Sequence, residues 1–159
     1  MHIKIIAVGK LKEKFFADAV SEYEKRLSRF AKVEIIELAD AKIPDKASAA
    51  EEAAVIKTEG DKILSKIPQG AYVYALCVEG KQASSEKFAA QLANLALTGK
   101  SEVVFIIGGS LGLDARIKAR ADVRLSFSEM TFPHMLMRVV LLEQVYRAFK
   151  INAGESYHK

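Results

Sequence analysis

A single cysteine, Cys77, in 159 residues leaves no partner for an internal disulfide, so the chain is not a disulfide-stapled scaffold. Cys77 lies in the apolar run 71–78, where a buried packing role is expected. No uninterrupted apolar stretch approaches the roughly 20 residues that cross a bilayer. The opening residues, Met1-His2-Ile3-Lys4, lack the charged-then-apolar layout of a secretion signal. Low-complexity segments, internal repeats and long linkers are missing too. The charge excess is small, +4. That permits a nucleic-acid partner without the dense basic clusters of a strong electrostatic footprint. These absences predict one folded, cytoplasmic domain over residues 1–159, with no membrane partner and no bound metal.

Half of the residues are hydrophobic, enough for a real core at this length. Strand and helix signals alternate. Apolar runs at Ile3–Val8, Val33–Leu38, Ala71–Val78, Val103–Ile107 and Val123–Phe127 read as strands. Helical periodicity marks Glu13–Phe30, where Phe16, Val20, Tyr23, Leu27 and Phe30 form one stripe. It also marks Ala47–Lys66, a segment from Ser84 or Ser85 to Gly99, a short piece from Asp114 to about Ala121, and Pro133 to about Ile151. Glu79-Gly80-Lys81 reads as a turn. The pattern predicts an α/β domain with a mostly parallel sheet.

Four stretches carry candidate chemistry. Gly108-Gly109-Ser110-Leu111-Gly112 follows a buried strand and precedes a helix, where an open α/β sheet places its ligand. It is neither a P-loop nor G-x-G-x-x-G. Glu129, about twenty residues beyond Gly109, is near the offset of an acidic ribose ligand in a dinucleotide site. Too little chain follows, however, to build that six-strand sheet. Leu125–His134 has the composition to wall an adenine, with Phe127 and Phe132 flanking Ser128, Glu129, Met130 and Thr131. The last helix is apolar almost all round and predicts cover on two sides, one of them a second copy of itself. On it, Glu143 and Arg147 form either a helix salt bridge or a functional pair. The tail ends in Tyr157-His158-Lys159, either frayed or suited to contacting RNA.

Taken together, these stretches resemble the small SPOUT-class methyltransferases that act on N3 of a pseudouridine in bacterial 23S rRNA. The resemblance rests on Ile5–Lys10, Tyr23–Arg26, Ile106–Gly109, Leu125–His134, Arg138-Val139, Glu143–Phe149 and Tyr157-His158. It implies a SPOUT-type α/β knot, with the C-terminal part of the chain threaded as a trefoil, in a homodimer built on the last helix. It further implies S-adenosylmethionine as methyl donor, held at Leu76, at Gly108 and along Phe127, Ser128, Glu129, Met130, Thr131 and Phe132. The implied catalytic group is Tyr157, His158, Arg147 and Glu143. In it, the tail of one subunit reaches over the cofactor of the other, and Arg147 holds a phosphate or a developing negative charge. Glu143, His134 and His158 are the titratable candidates for proton acceptor. The implied partner is 23S rRNA within the assembled ribosome. One departure is Ser110-Leu111, where relatives often carry Pro-Glu or Ser-Asn, so leucine removes a polar group from the loop rim. Two other readings compete: a non-catalytic ribosome-binding factor of the same fold, and a nucleotide-binding oxidoreductase.

Overall fold

The computed structural model describes Met1–Lys159. Five strands form one wholly parallel sheet: β1 (His2–Val8), β2 (Lys32–Leu38), β3 (Tyr72–Gln82), β4 (Glu102–Ile107) and β5 (Val123–Ser126). Their spatial order is β2-β1-β4-β3-β5. Five helices alternate with them: α1 (Lys14–Leu27), α2 (Ala49–Leu64), α3 (Ser85–Leu97), α4 (Ala115–Arg120) and α5 (His134–Asn152). The α/β expectation holds.

Central position explains composition. β4 lies between β1 and β3, and Val103–Ile107 are all buried, as a strand covered on both faces requires. One face packs on Val20 and Leu27 of α1, Phe88 and Leu92 of α3, and Leu141, Leu142 and Val145 of α5. The other face meets Ile63 of α2 and Ile117 of α4. The chain leaves β1 toward one face and β4 toward the other. This is the kind of switch point at which α/β sheets open a crevice beyond the strand ends.

Caps fix the helix ends near the site. Ser48 and Glu51 form a reciprocal capping box on α2, Ser84 caps α3, and Asp114 caps α4 by accepting from the Arg116 N–H. Pro133 is the residue before the first turn of α5, with an extended ψ of 134°, rather than inside that turn as expected. Phe30 lies beyond the end of α1, in the turn leading to β2.

Two expectations fail locally. Glu79-Gly80-Lys81 is not a turn. After Leu76, which pairs with Leu125, the register jumps so that Lys81 also faces Leu125. β3 therefore continues through an irregularity along the β5 edge, and its exposed, charged outer residues imitate a loop. Cys77 is not a core residue either, because the same irregularity turns it toward a cleft and leaves it half-buried.

Candidate functional site

A cleft of about 630 Å³ opens at the carboxyl ends of β3, β4 and β5, within the size range of small-molecule sites. Its apolar floor is Leu76, Ile107, Leu125 and Met137. The glycine loop Gly108–Leu113 forms one rim and the loop from Phe127 to Pro133 the other. The N-terminal turn of α5 contributes His134. Seven of the eight residues implied as cofactor contacts line this one space: Leu76, Gly108, Phe127, Ser128, Met130, Thr131 and Phe132. Glu129 does not; it is exposed outside the cleft lining.

Backbone chemistry in the two rims suits a ligand. Met130 N–H donates to the Ser128 hydroxyl at 3.0 Å, and the Ser126 hydroxyl donates to the Ser128 carbonyl at 3.0 Å. These turns stiffen the loop, while the N–H groups of Glu129, Thr131 and Phe132 donate to nothing within the chain. Gly112 has φ +84°, a left-handed conformation, and a side chain there would enter open space. Lys118 and Glu79 pair at the rim and hold the Glu79 carboxyl below the usual carboxylate range. Burial, then the nearby Glu79 charge, pushes the Cys77 thiol upward, away from thiolate chemistry. Cys77, Glu79 and Lys118 escaped the sequence reading because they depend on the β3 irregularity.

The implied catalytic residues also come together, but elsewhere. Arg147 donates to Glu143 Oε1 through Nη2 at 2.6 Å and Nε at 3.1 Å. The Tyr157 hydroxyl donates to the same oxygen at 3.2 Å, and the Gln144 amide donates to Glu143 Oε2 at 2.7 Å. The Arg147 guanidinium lies over the Tyr157 ring at 4.7 Å, and Tyr146 meets that ring edge-on. The Glu143 hydrogen bond holds the Arg147 guanidinium in its charged form, and burial followed by the Glu143 charge raises the Tyr157 phenol. Glu143–Arg147 is thus both a helix ion pair and part of a larger cluster.

His158 completes the cluster. Arg147 Nη1 lies 3.3 Å from Nδ1, and Glu86 Oε1 lies 2.9 Å from Nε2. Arginine only donates, so Nδ1 accepts and the ring proton sits on Nε2, directed at Glu86. Both imidazole nitrogens are engaged. The Glu86 carboxyl is pulled down to about 2, first by its own backbone N–H, then by His158 and Ser84. Lys150 and Arg29 both bind Glu155, so the tail is docked rather than frayed. Glu143 follows Met137 by six residues, about 9 Å along α5, and Arg147 by ten, about 15 Å. Within one subunit the tail cluster therefore lies outside the cleft, and His134 is the imidazole inside it.

In sequence, Arg138 stands out only as part of the Arg138-Val139 match to the resembled family. It is wholly buried, donating to Glu37 Oε2 at 2.7 Å and to the Gly9 carbonyl at 3.0 Å. Glu37 also accepts from the Leu11 N–H at 2.8 Å. This network seats the loop after β1 beside His134, whose Nε2 lies 3.0 Å from the point where a Gly9 Cβ would stand. No group of three or more His, Cys, Asp or Glu side chains is gathered as a metal site would need.

Comparison with known proteins gives concordant results. The family described as "Predicted SPOUT methyltransferase" matches residues 1–158. The chain is 57% identical to the ribosomal RNA large subunit methyltransferase H of Lactobacillus helveticus, and 58% identical to that of Bacillus thuringiensis. It is 57% identical to the protein of the same name from Bifidobacterium animalis subsp. lactis. Each alignment covers 100% of both chains. A solved structure of a probable methylase family protein from Haemophilus influenzae superposes with a TM-score of 0.55 at 9% identity. That superposition covers 99% of this chain and 70% of the other, and it speaks for the fold.

Proposed function

The chain belongs to the SPOUT methyltransferase family, and from that premise we propose that it transfers a methyl group from S-adenosylmethionine to N3 of a pseudouridine in bacterial 23S rRNA. The observation that carries the reading is the cleft, which gathers Leu76, Gly108 and five residues of 127–132 at a strand-end crevice. The residues present fit the donor. Leu76, Leu125 and Met137 offer apolar cover to a flat ring, and the free N–H groups of Thr131 and Phe132 offer hydrogen bonds to its edge. When bound, S-adenosylmethionine supplies an electrophilic methyl group.

The protein's own contribution is then to orient the acceptor base, exclude water and manage one proton. An imide N–H is a poor nucleophile until that proton leaves. Arg147, held charged by Glu143, suits the stabilisation of a phosphate or of negative charge developing on the base. His158 can receive the proton at Nδ1 only after releasing Arg147, so the docked tail is a resting arrangement. His134, already in the cleft, is the competing acceptor.

The separation of cleft and tail cluster supports a homodimeric, composite site. α5 is 19 residues long, about 28 Å, with the cleft at its first turn and the cluster toward its end. An antiparallel two-fold pairing of α5 would bring the tail of each subunit to the cleft of the other. The threaded C-terminal knot belongs to the same proposal, as does a cytoplasmic location. The 159 residues described form one sheet flanked by helices, and a surface of that size favours the assembled ribosome as substrate, read by shape and by several surfaces.

Mixed subunits test the composite site. One subunit carries His158→Ala; the other carries Gly112→Val, which strains the left-handed φ and thrusts a branched side chain into open space. Each homodimer should be inactive, whereas co-refolded heterodimers should regain up to about half of wild-type activity per heterodimer, because one of the two sites is intact. Failure of the mixture to exceed its parents would overturn the shared site.

A further inference from the structure

Glu59 of α2 is a carboxylate buried to 6% exposure, although it plays no part in the cleft or the tail cluster. Its hydrogen bond comes from the Ala41 N–H at 3.3 Å. Asp40, Lys62 and His134 are the charged or titratable groups whose fields reach it, and none closes an ion pair with it. Lys62 instead donates to the Ala39 carbonyl at 3.1 Å. Such a group has to be explained by what it touches.

It touches the glycine loop. A Cβ built on Gly109 would lie 3.0 Å from Glu59 Oε2 and 3.2 Å from Oε1. The next residue meets the other end of that loop. A Cβ on Gly60 would lie 2.6 Å from Asp114 Oδ2 and 2.8 Å from the Asp114 Cβ, closer than real contacts allow. Asp114, seated in that space, accepts from the Arg116 N–H at 2.8 Å and so starts α4. Arg116 then reaches back to α2, donating to Asp61 Oδ1 at 2.7 Å and to the Lys57 carbonyl at 3.2 Å. A single turn of α2, Lys57–Asp61, thus grips both ends of the loop Gly108–Asp114.

We propose that Glu59 and Gly60 are positioning residues for the methyl-donor loop: Glu59 supports the Gly109 backbone from beneath, and Gly60 leaves the room that seats Asp114. The proposal rests on the cleft being an S-adenosyl site. It accounts for a buried carboxylate without a cation, and for a glycine in mid-helix, where its conformational freedom is a cost. Burial pushes the Glu59 carboxyl above the usual carboxylate range. Glutamine keeps the side chain's length beside Gly109 and an oxygen for the Ala41 N–H, and is the conservative replacement.

The test uses the full chain with two readouts: hydrogen exchange of residues 108–113 without ligand, and calorimetric affinity for S-adenosylmethionine. Glu59→Ala and Gly60→Ala should speed exchange across 108–113 and weaken binding on the order of tenfold or more. Glu59→Gln should restore both. Asp61→Asn, at an exposed pair that leaves the core intact, should speed exchange at Gly112 and Leu113 by a smaller factor. Wild-type exchange and affinity in folded Glu59→Ala and Gly60→Ala would overturn the proposal, as would a Glu59→Gln protein no better than Glu59→Ala. Should the alanine variants fail to fold, unchanged exchange in Asp61→Asn would overturn it. Absence of S-adenosylmethionine binding by the wild-type chain would sink the donor assignment, and the exchange measurements would still decide the positioning role.

Discussion

Arg138 carries a full charge into the interior, and its neighbours show what that requires. Two of its nitrogens are satisfied by Glu37 and Gly9, while Nε is buried without a partner. Removing the carboxylate strands the charge, whereas removing the arginine leaves Glu37 able to turn toward water. Glu37→Ala should therefore cost about 2 kcal/mol and Arg138→Met clearly less, as read by urea unfolding. The reverse order would contradict the buried network. Glu86 gives a pH prediction. Its carboxyl is depressed in the folded state to about 2, by its own N–H first and by His158 second. A depressed carboxylate contributes stability that is present above its ordinary value of 4.5 and is lost as pH falls through about 2. The Glu86 carboxyl resonance should accordingly titrate near 2, and in His158→Ala it should move up toward 4.5. An unmoved resonance would mean that the tail does not dock on α3.

At the scale of elements, α5 explains why one helix looks apolar all round. Leu141, Leu142, Val145 and Ala148 are buried in the core. Leu136, Val140, Glu143 and Arg147, spaced four, three and four apart, share a different, half-exposed face. That face begins apolar beside the cleft and ends charged at the tail cluster, which suits an antiparallel copy of itself. Val140→Glu should shift the protein from dimer to monomer in sedimentation, weakening association about 100-fold, without lowering the helix content. A dimer of unchanged affinity would place the interface elsewhere. The alternation of strands and helices, the start of α3 at Ser84 or Ser85, and the buried character of β4 were all legible in sequence, because periodicity and cap chemistry are local. The continuation of β3 through Glu79–Lys81 was not, since an irregular edge strand shows the polar residues and glycine of a turn. Helix ends differ from the expected ones by up to three residues, because tertiary packing decides them.

For the whole molecule, the legible part of the site was the part that follows the chain. The glycine loop and the Phe127–Phe132 loop are contiguous segments at strand ends, and both line the cleft. Glu129 was expected with them and is exposed outside the cleft lining instead. Pairings between distant segments stayed hidden: Glu59 beneath Gly109, Glu37 against Arg138, Glu86 against His158. Each joins residues from separate elements that periodicity cannot connect. The strand order β2-β1-β4-β3-β5, with one strand after the glycine loop, also leaves no room for the second half of a dinucleotide-binding sheet. Methyl transfer at the cleft is directly measurable. Ribosomes from a strain lacking the modification are offered S-adenosylmethionine labelled in its methyl group, beside free large-subunit RNA and RNA with uridine in place of the pseudouridine. The account predicts label at N3 of a single pseudouridine in the 23S rRNA of assembled ribosomes, and little or none in the other two. Label in none of the three would contradict it.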